Sequence, residues 1–310
     1  MCMFYAHLIP HFMESGTELF FWERVVSSIA APLFLFLVGY NFNVKQDLKR
    51  VLKRMLVILV IAGSIDTFIW HIFPFYSFDV LYLIGISLAF LYLIRRFNTI
   101  QLIILVLSVL LISVSLQQFG FYSIELNEPY FNEEYQITQV VYNFFINGWF
   151  PFFPWIIFPI IGLLARTISF NALKFRVISS FLFLVAIPLL FLIDFNWRTF
   201  AVEIFYPASW IYLSFALVFL FFIWTNKSFL SSKLVGFLVD LGKTSLFLYI
   251  FHLSVYAVIG DYVIGIINNR FICYFIFLFC FWLTAFLLNK YKIKWNVFQK
   301  SEFLQILLGK

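Results

Sequence analysis

The stretch "TIQLIILVLSVLLISVSLQ" (99–117) decides the fold class, because it carries no charged residue over the length of a membrane-spanning helix. A helix needs about 20 mostly apolar residues to cross the hydrocarbon core of a bilayer. Similar apolar runs recur along the chain, near 22–43, 55–73, 78–94, 149–165, 177–194, 207–225, 244–264 and 271–289. The sequence therefore predicts an all-α polytopic membrane protein, a bundle of about ten transmembrane helices.

The composition leaves no room for a large soluble domain. Of the 310 residues 64% are hydrophobic and 12% are charged, whereas a soluble domain averages about 45–50% apolar and about 25% charged residues. Cys2, Cys273 and Cys280 show no Cys-x-x-Cys or Cys/His spacing, so we expect neither a disulfide framework nor a metal site. The net charge is +6. In a membrane protein the position of the charges is more informative than their sum, and we expect no nucleic-acid partner.

The first helix is predicted to be partial. Residues 1–9 are too short to span a bilayer, so we expect them to be the last half of a helix whose beginning precedes the chain. They lack the basic segment and the cleavage site of a signal peptide. We expect residues 1–289 to form a single transmembrane domain, followed by a basic cytoplasmic tail (290–310) with an interfacial helix.

The lysines and arginines predict the orientation of the helices. If the loop "VKQDLKRVLKR" (44–54) is cytoplasmic and each span crosses once, only Arg24, Arg198 and Arg270 of the 21 basic residues lie outside. The longest polar loop (121–139) is then external, and it carries acids and no base. This asymmetry is typical of an integral membrane protein with cytoplasmic basic loops, for which we expect the cytoplasmic membrane of a prokaryote. The basic edge suits anionic lipid headgroups, and equally the phosphates of a nucleotide-bearing cofactor.

Two histidines near the chain start are candidates for catalysis. His7 and His11 flank Pro10, which is expected to end or kink the helix and to turn His11 out of its register. A neutral histidine with a free ring nitrogen can take a proton from an attacking hydroxyl or amine. The alternative is that both are hydrated residues at a helix end.

Other polar residues lie within or beside the predicted spans, where ionisable groups are rare and often functional. Asp66, Asp79 and His71 are expected in the outer half or at the external ends of helices, where they would hold a polar acceptor. His252 is the lone histidine of an apolar helix, either bonded in the core or lining a channel for a thioester. The proline-rich stretch 148–162 is expected to form one wall of a pocket, because non-helical backbone at that depth lines cavities or is buried in protein.

Several segments in order resemble a known family. They are "FWERVVSSIAAPLFLFLVGYNFN", "FDVLYLIGISLAFLYLI", "FPFFPWIIFPIIGLLAR", "YPASWIYLSFALVF" and "LGKTSLFLYIFHLSVY". Together they are similar to the heparan-α-glucosaminide N-acetyltransferase catalytic-domain family, over about residues 1–265. The family's polar Gln-Arg pair is replaced here by Tyr82 and Leu83. Members open with an Asp-x-x-Arg-Gly segment, and this chain begins after it.

The resemblance implies a membrane-embedded acyltransferase that moves an acetyl or other acyl group from cytoplasmic acyl-CoA to an amine or hydroxyl of an external sugar or glycan. It implies His7 or His11 as the catalytic base. The groups expected to bind the donor are Lys45, Arg50, Arg54, Arg95, Arg96, Arg166 and His252. Those expected to bind the acceptor or to stabilise the oxyanion are Asp66, His71, Asp79, Asn147 and Trp155. The expected partners are acyl-CoA, the acceptor and membrane lipids, with a homodimer as an option.

Two alternatives stay open from the sequence. A transporter or flippase of a lipid or glycolipid would use Asp66, Asp79 and His252 as a proton relay. A related acyltransferase would carry another acyl chain or modify a cell-wall polymer. Saturable binding of acyl-CoA favours the enzyme, and flux of substrate without CoA favours the transporter.

Overall fold

The computed structural model gives the chain helices joined by loops, with no strand among the residues that it describes. Those residues are 2–14, 21–119, 121, 135–168, 173–191, 210–226, 236–292, 295 and 299–308. The first nine helices are α1 (Cys2–Glu14), α2 (Phe21–Ser28), α3 (Ala30–Tyr40), α4 (Leu48–Ile65), α5 (Val80–Ile94), α6 (Thr99–Gln118), α7 (Ile137–Tyr142), α8 (Phe152–Trp155) and α9 (Ile157–Thr167). The later helices are α10 (Leu173–Phe191), α11 (Trp210–Thr225), α12 (Gly236–Lys243), α13 (Ser245–Val255), α14 (Asp261–Ile267), α15 (Arg270–Tyr291) and α16 (Glu302–Leu307). Three π-helical turns continue α4, α7 and α13, at Asp66–Trp70, Asn143–Asn147 and Tyr256–Gly260.

Four helical segments in the described part of the chain are long and apolar enough to cross a membrane: Thr99–Leu116, Ile137–Thr167, Ser245–Ile267 and Arg270–Tyr291. Shorter apolar helices cover Val25–Tyr40, Val80–Ile94 and Tyr212–Thr225. The all-α architecture agrees with the prediction from sequence, while the count of ten spans stays a prediction. The predicted span 22–43 is divided at Ile29 into α2 and α3.

Helix α1 does not end at Pro10, so the expectation of a helix end there was wrong. The helix runs from Cys2 to Glu14, although a proline removes one backbone hydrogen bond from its interior. Phe4, Leu8 and Phe12 recur four residues apart, and all three are buried. This packed face lies on both sides of Pro10, which explains why the helix continues. The backbone of His11 is therefore helical, and its side chain lies outside the described residues.

The chain folds as two compact units. The terminal unit comprises Met1–Ser27 and Lys227–Lys310, and the central unit comprises Ser28–Asn226. In the terminal unit α1 packs against α15, where the Phe4 and Phe281 rings lie 4.8 Å apart. Because lipid is as apolar as these side chains, close van der Waals packing holds such helices together.

In the central unit α3 and α9 cross with their backbones in contact. A methyl group on Gly39 would lie 1.9 Å from the carbonyl oxygen of Pro159, and one on Gly162 would lie 2.0 Å from that of Phe36. Only glycine fits at either position. Small residues that allow two backbones to approach are a recurring means of helix association in membranes.

Helices α4 and α5 run antiparallel. Gly85 of α5 packs against Leu59 of α4, and Gly63, one turn further along α4, lies beside Tyr82. The start of α4 and the end of α5 therefore meet at one end of the central unit, and the end of α4 and the start of α5 meet at the other. This arrangement separates two groups of polar residues.

Candidate functional site

The terminal unit contains a fully buried histidine with one ring nitrogen unused. His252 on α13 is 0% exposed, and its Nδ1 lies 2.7 Å from the carbonyl oxygen of Leu248. A carbonyl can only accept a hydrogen bond, so this contact places the imidazole proton on Nδ1 and leaves a lone pair on Nε2. Among the described residues Nε2 has no hydrogen-bond partner. A buried acceptor in this state is suited to take a proton or a hydrogen bond from an incoming group.

His7 of α1 lies next to His252. The two ring centroids are 5.2 Å apart with the planes tilted by 55°. The Tyr249 ring is nearly perpendicular to both, with centroid distances of 6.2 Å to His7 and 5.5 Å to His252. His7 is half-buried, whereas Tyr249 and His252 are buried. Two histidines distant in sequence thus meet within one unit, with the more exposed ring on α1.

Tyr256 and Phe4 fix the position of α1 beside His252. The Tyr256 hydroxyl donates a hydrogen bond of 3.0 Å to the Phe4 carbonyl oxygen, and the Phe4 ring lies 5.0 Å from that of His252. Since His7 lies one turn after Phe4 on the same helix, these contacts determine where the His7 ring lies.

A buried ion pair joins α2 to α15 in the same unit. Arg270 Nε lies 2.7 Å from Glu23 Oε1, and the Tyr5 hydroxyl also donates to Glu23 Oε1. Neither residue was predicted as a site residue, and Arg270 was expected only to lie on the external side. The available signal was an acidic residue inside the apolar stretch "FFWERVV" (20–26), since such residues are usually paired.

In the central unit Asp66 anchors the polar end. Its two carboxylate oxygens accept hydrogen bonds of 2.7 Å from the hydroxyls of Ser77 and Tyr82, and the side chain is 0% exposed. Ser77 Oγ also accepts from the backbone N–H of Asp79 at 3.1 Å, and Asp79 Oδ1 accepts from the N–H of Val80 at 2.6 Å as the N-cap of α5. The structure brings the two predicted acids together and gives both a role in holding the loop between α4 and α5.

The remaining predicted acceptor residues lie around that loop or in the core. His71 is exposed and adopts a left-handed conformation (φ 55°) at the end of the π-turn after α4. Asn147 is buried at the end of the π-turn after α7. That turn is tied to the loop, because the N–H of Trp149 donates to the Ser77 carbonyl at 2.8 Å. Trp155 is 1% exposed and packs among aromatic rings of the core, with Tyr212 at 5.9 Å.

The predicted donor-binding cations lie at the opposite end of the central unit. The Arg166 guanidinium donates to the Phe42 carbonyl, and the Thr99 and Thr167 hydroxyls lie 3.4 Å apart, so the ends of α3 and α9 and the start of α6 adjoin. The antiparallel pairing of α4 and α5 adds its own cations to this end. The set is Lys45, Arg50, Arg54, Arg95, Arg96 and Arg166.

The basic end and the polar end are well separated. Arg50 and Asp66 lie 16 residues apart along α4, about 24 Å at 1.5 Å per residue. Lys45, Arg50, Arg96 and Arg166 are exposed. Arg95 is half-buried and lies over the Tyr92 ring at 3.5 Å. An exposed group of cations at one end of a helical unit is suited to bind phosphates.

No group of three or more His, Cys, Asp or Glu side chains in the described part of the chain is placed to hold a metal ion.

Comparison with known families identifies the chain. The sequence model described as heparan-alpha-glucosaminide N-acetyltransferase, catalytic, matches residues 3–194. The chain belongs to this family. The match includes His7, Glu23 and the central unit as far as α10, while His252 and Arg270 lie beyond it. No curated protein and no solved structure matches the chain.

Membership of the heparan-alpha-glucosaminide N-acetyltransferase catalytic family makes the chain an acyltransferase-type protein. Together with the four long apolar helices it makes the chain an integral membrane protein. The resemblance seen in the sequence is thereby confirmed.

Proposed function

We propose that the protein transfers an acetyl or other acyl group from acyl-CoA to an amine or hydroxyl of a sugar or glycan. One observation carries the proposal: in a member of this acetyltransferase family, the described part of the chain brings two histidines together, and one of them is fully buried with an unused ring nitrogen. Acyl transfer to a hydroxyl or amine needs a group that takes the proton of the attacking atom, and neutral histidine is the side chain best suited to this near pH 7.

The base lies on α1 in this proposal. His7 meets the requirement because its ring is half-buried, so that an acceptor can reach it. The neighbouring Tyr249 ring is buried. His11 lies one helical turn further along α1 and is kept as a second candidate. His252 was expected to line the path of the thioester, and its buried position beside His7 is compatible with that role.

The donor binds through its phosphates to the basic end of the central unit. Coenzyme A carries three phosphate groups, and exposed lysines and arginines pair with phosphate through charge-assisted hydrogen bonds. The same positive charge favours the cytoplasmic face of a membrane, where acyl-CoA is available. We therefore assign this end to the cytoplasm and the polar end with Asp66 and Asp79 to the external face.

The acceptor is assigned to the external side, with His71 and Asn147 as the contacts best placed on the loop side of the polar end. Asp66 accepts two internal hydrogen bonds and Trp155 lies in the aromatic core, so both support the site rather than line it. The cytoplasmic membrane of a prokaryote, contacts with membrane lipids and a homodimer are parts of the same proposal.

The test uses the full chain, purified in detergent and also reconstituted in vesicles. Transfer of radiolabelled acetyl groups from acetyl-CoA to a panel of amino sugars and glycans is measured for the wild type, His7→Ala and His11→Ala. Cys280→Ser, an exposed position on α15, is the control. Loss of transfer in one histidine variant that still binds CoA supports the proposal and identifies the base. A folded wild type that binds no acyl-CoA overturns it, and glycolipid flux without CoA would favour the transporter.

A further inference from the structure

We infer that His252 is a positioning residue for His7: its Nε2 accepts a hydrogen bond from the His7 ring, and this bond strengthens when that ring takes the proton of the acceptor. The inference rests on the proposed function and deepens it, because it gives the buried histidine a defined part in the transfer step. It concerns two residues of one compact unit.

The tautomer of His252 is fixed by its own helix. Leu248 lies one turn earlier on α13, and its carbonyl oxygen is 2.7 Å from Nδ1. The proton is held on Nδ1 by this contact, so Nε2 can act only as an acceptor while the ring is neutral. A buried acceptor without a partner is destabilising, and it therefore points to a donor that arrives during function.

The rings around His252 leave His7 as the donor. Phe4 and Phe281 carry no polar atom, and the Tyr256 hydroxyl is engaged by the Phe4 carbonyl. The Tyr249 ring is nearly perpendicular to both histidine rings. The centroid separation of 5.2 Å between His7 and His252 accommodates a hydrogen bond of about 2.9 Å between two ring nitrogens after rotation of the His7 side chain.

The contact would strengthen in the transition state. A neutral His7 that takes the proton of the acceptor on one ring nitrogen already carries a proton on the other, and this N–H is the donor to His252 Nε2. When His7 becomes a cation the hydrogen bond becomes charge-assisted and stronger, and it offsets the penalty that apolar surroundings place on the charge. Interactions that strengthen in the transition state raise the rate of the chemical step rather than the affinity for the substrate.

The step balances as follows. The attacking nitrogen or oxygen of the acceptor forms a bond to the thioester carbonyl carbon, and its proton moves to His7, which donates to His252 Nε2. The carbon–sulfur bond then breaks, and its electron pair leaves on the sulfur of CoA. His7 returns the proton to that sulfur, so that the products are the acylated acceptor and CoA thiol and both histidines end neutral.

Two substitutions at one position separate this role from packing. His252→Gln places an amide oxygen near the position of Nε2 and keeps an acceptor there. His252→Asn places its amide nitrogen near the position of Nδ1 and keeps the donor to Leu248 but loses the acceptor. We expect His252→Asn to lower kcat on the order of 10- to 100-fold, the usual effect of losing a hydrogen bond to a charged group. KM for acetyl-CoA should stay unchanged, and His252→Gln should keep most of kcat.

A second readout does not depend on turnover. The chain has four histidines, so nitrogen NMR of protein labelled with ¹⁵N-histidine gives few signals, and the His252 signals are those absent from His252→Gln. We expect the tautomer with the proton on Nδ1 and a bare Nε2. This tautomer should be observed without added acid, because the Leu248 carbonyl selects it when the His252 ring is neutral.

The outcomes separate the inference from the proposed function. Transfer by the wild type, with retained kcat in His252→Gln and reduced kcat in a folded His252→Asn, supports the inference. Equal kcat in the wild type and His252→Asn, equal loss in both variants, or a proton on Nε2 overturns it while the acyltransferase proposal stands. A wild type that binds no acyl-CoA overturns the proposed function and this inference with it.

Discussion

Arg270 Nε lies 2.7 Å from Glu23 Oε1, and the two side chains are 9% and 0% exposed. This pair links α2 to α15, and the Tyr5 hydroxyl adds α1 through the same carboxylate oxygen. Since α1 also carries His7, the ion pair is part of the scaffold that holds the candidate catalytic histidine. Charges of this kind inside a membrane protein are stable only as a pair.

Removal of one partner should therefore destabilise the protein strongly. We expect Glu23→Gln or Arg270→Leu to lower the free energy of unfolding by about 3–5 kcal/mol, because each leaves a buried charge without its counterion. The double variant Glu23→Leu/Arg270→Leu should recover much of the loss, since it leaves no unpaired charge. Thermal unfolding of the purified variants in one detergent measures both effects.

The control is the exposed pair of Asp47 and Arg50, whose side chains are 64% and 66% exposed and 3.8 Å apart. Asp47→Asn should change the stability by less than about 1 kcal/mol. Similar melting temperatures for Glu23→Gln and Asp47→Asn would contradict the importance of the buried pair.

A feature could be predicted from the sequence where it depends on local residues, and not where it depends on the packing of distant segments. The apolar runs predicted the helices, because the bilayer sets their length regardless of their neighbours. The Glu23–Arg270 pair was not predicted, since it requires α2 and α15 to be adjacent. Pro10 was expected to end or kink α1 on grounds of backbone chemistry, and the helix continues because a packed face extends across that position.

The candidate site was predicted only in part, and the reason is related. The sequence selected His7 and His252 separately, as an end-of-helix base and a channel residue, and nothing local indicated that they would meet. Tyr82 was noted as the loss of a polar residue, yet its hydroxyl restores polarity by bonding to Asp66. Such contacts depend on tertiary packing, which residue types and spacing do not encode.

The hydroxyl of Tyr82 should contribute measurably to stability. It donates to Asp66 Oδ2 at 2.7 Å and accepts from the N–H of Phe75 at 2.9 Å. Tyr82→Phe removes both contacts and leaves the buried Asp66 carboxylate and the Phe75 N–H without this partner, which we expect to cost about 1–3 kcal/mol. The control is Tyr262→Phe, at a tyrosine that is 73% exposed. Equal unfolding temperatures for the two variants would show that the Asp66 network is not a stabilising anchor.

The crossing of α3 and α9 should not tolerate a methyl group. Gly39→Ala and Gly162→Ala place Cβ within 2.0 Å of a backbone oxygen, and the helices would have to move apart, which we expect to cost about 1–3 kcal/mol or more. Gly265→Ala is the matched control, because nothing lies within 4 Å of its Cβ position. Alanine there should be neutral or stabilising by up to about 1 kcal/mol. Unfolding curves that rank Gly265→Ala below the other two would contradict the crossing.

The cations at the basic end should affect the binding of the donor only through contacts with its phosphates. We expect the double variant Arg50→Gln/Arg96→Gln to raise KM for acetyl-CoA about 100-fold or more, since each of the two lost charge-assisted hydrogen bonds is worth about 1.5–3 kcal/mol. KM for acetyl-pantetheine, which lacks the phosphates of CoA, should be unchanged. Lys290→Gln, at an exposed position in the terminal unit, is the control. A parallel rise in KM for both donors would assign the effect to altered folding rather than to phosphate binding.

The proposed orientation can be tested on the two ends of one helix. Phe97 precedes α6 and Gln118 ends it, and both are exposed. In a background with Cys2, Cys273 and Cys280 replaced by serine, a membrane-impermeant maleimide added to intact cells should label Gln118→Cys and not Phe97→Cys. The second cysteine should become reactive when the membrane is made permeable. The reverse pattern would place the basic end outside, where no acyl-CoA is available, and labelling of both in intact cells would mean that α6 does not cross the bilayer.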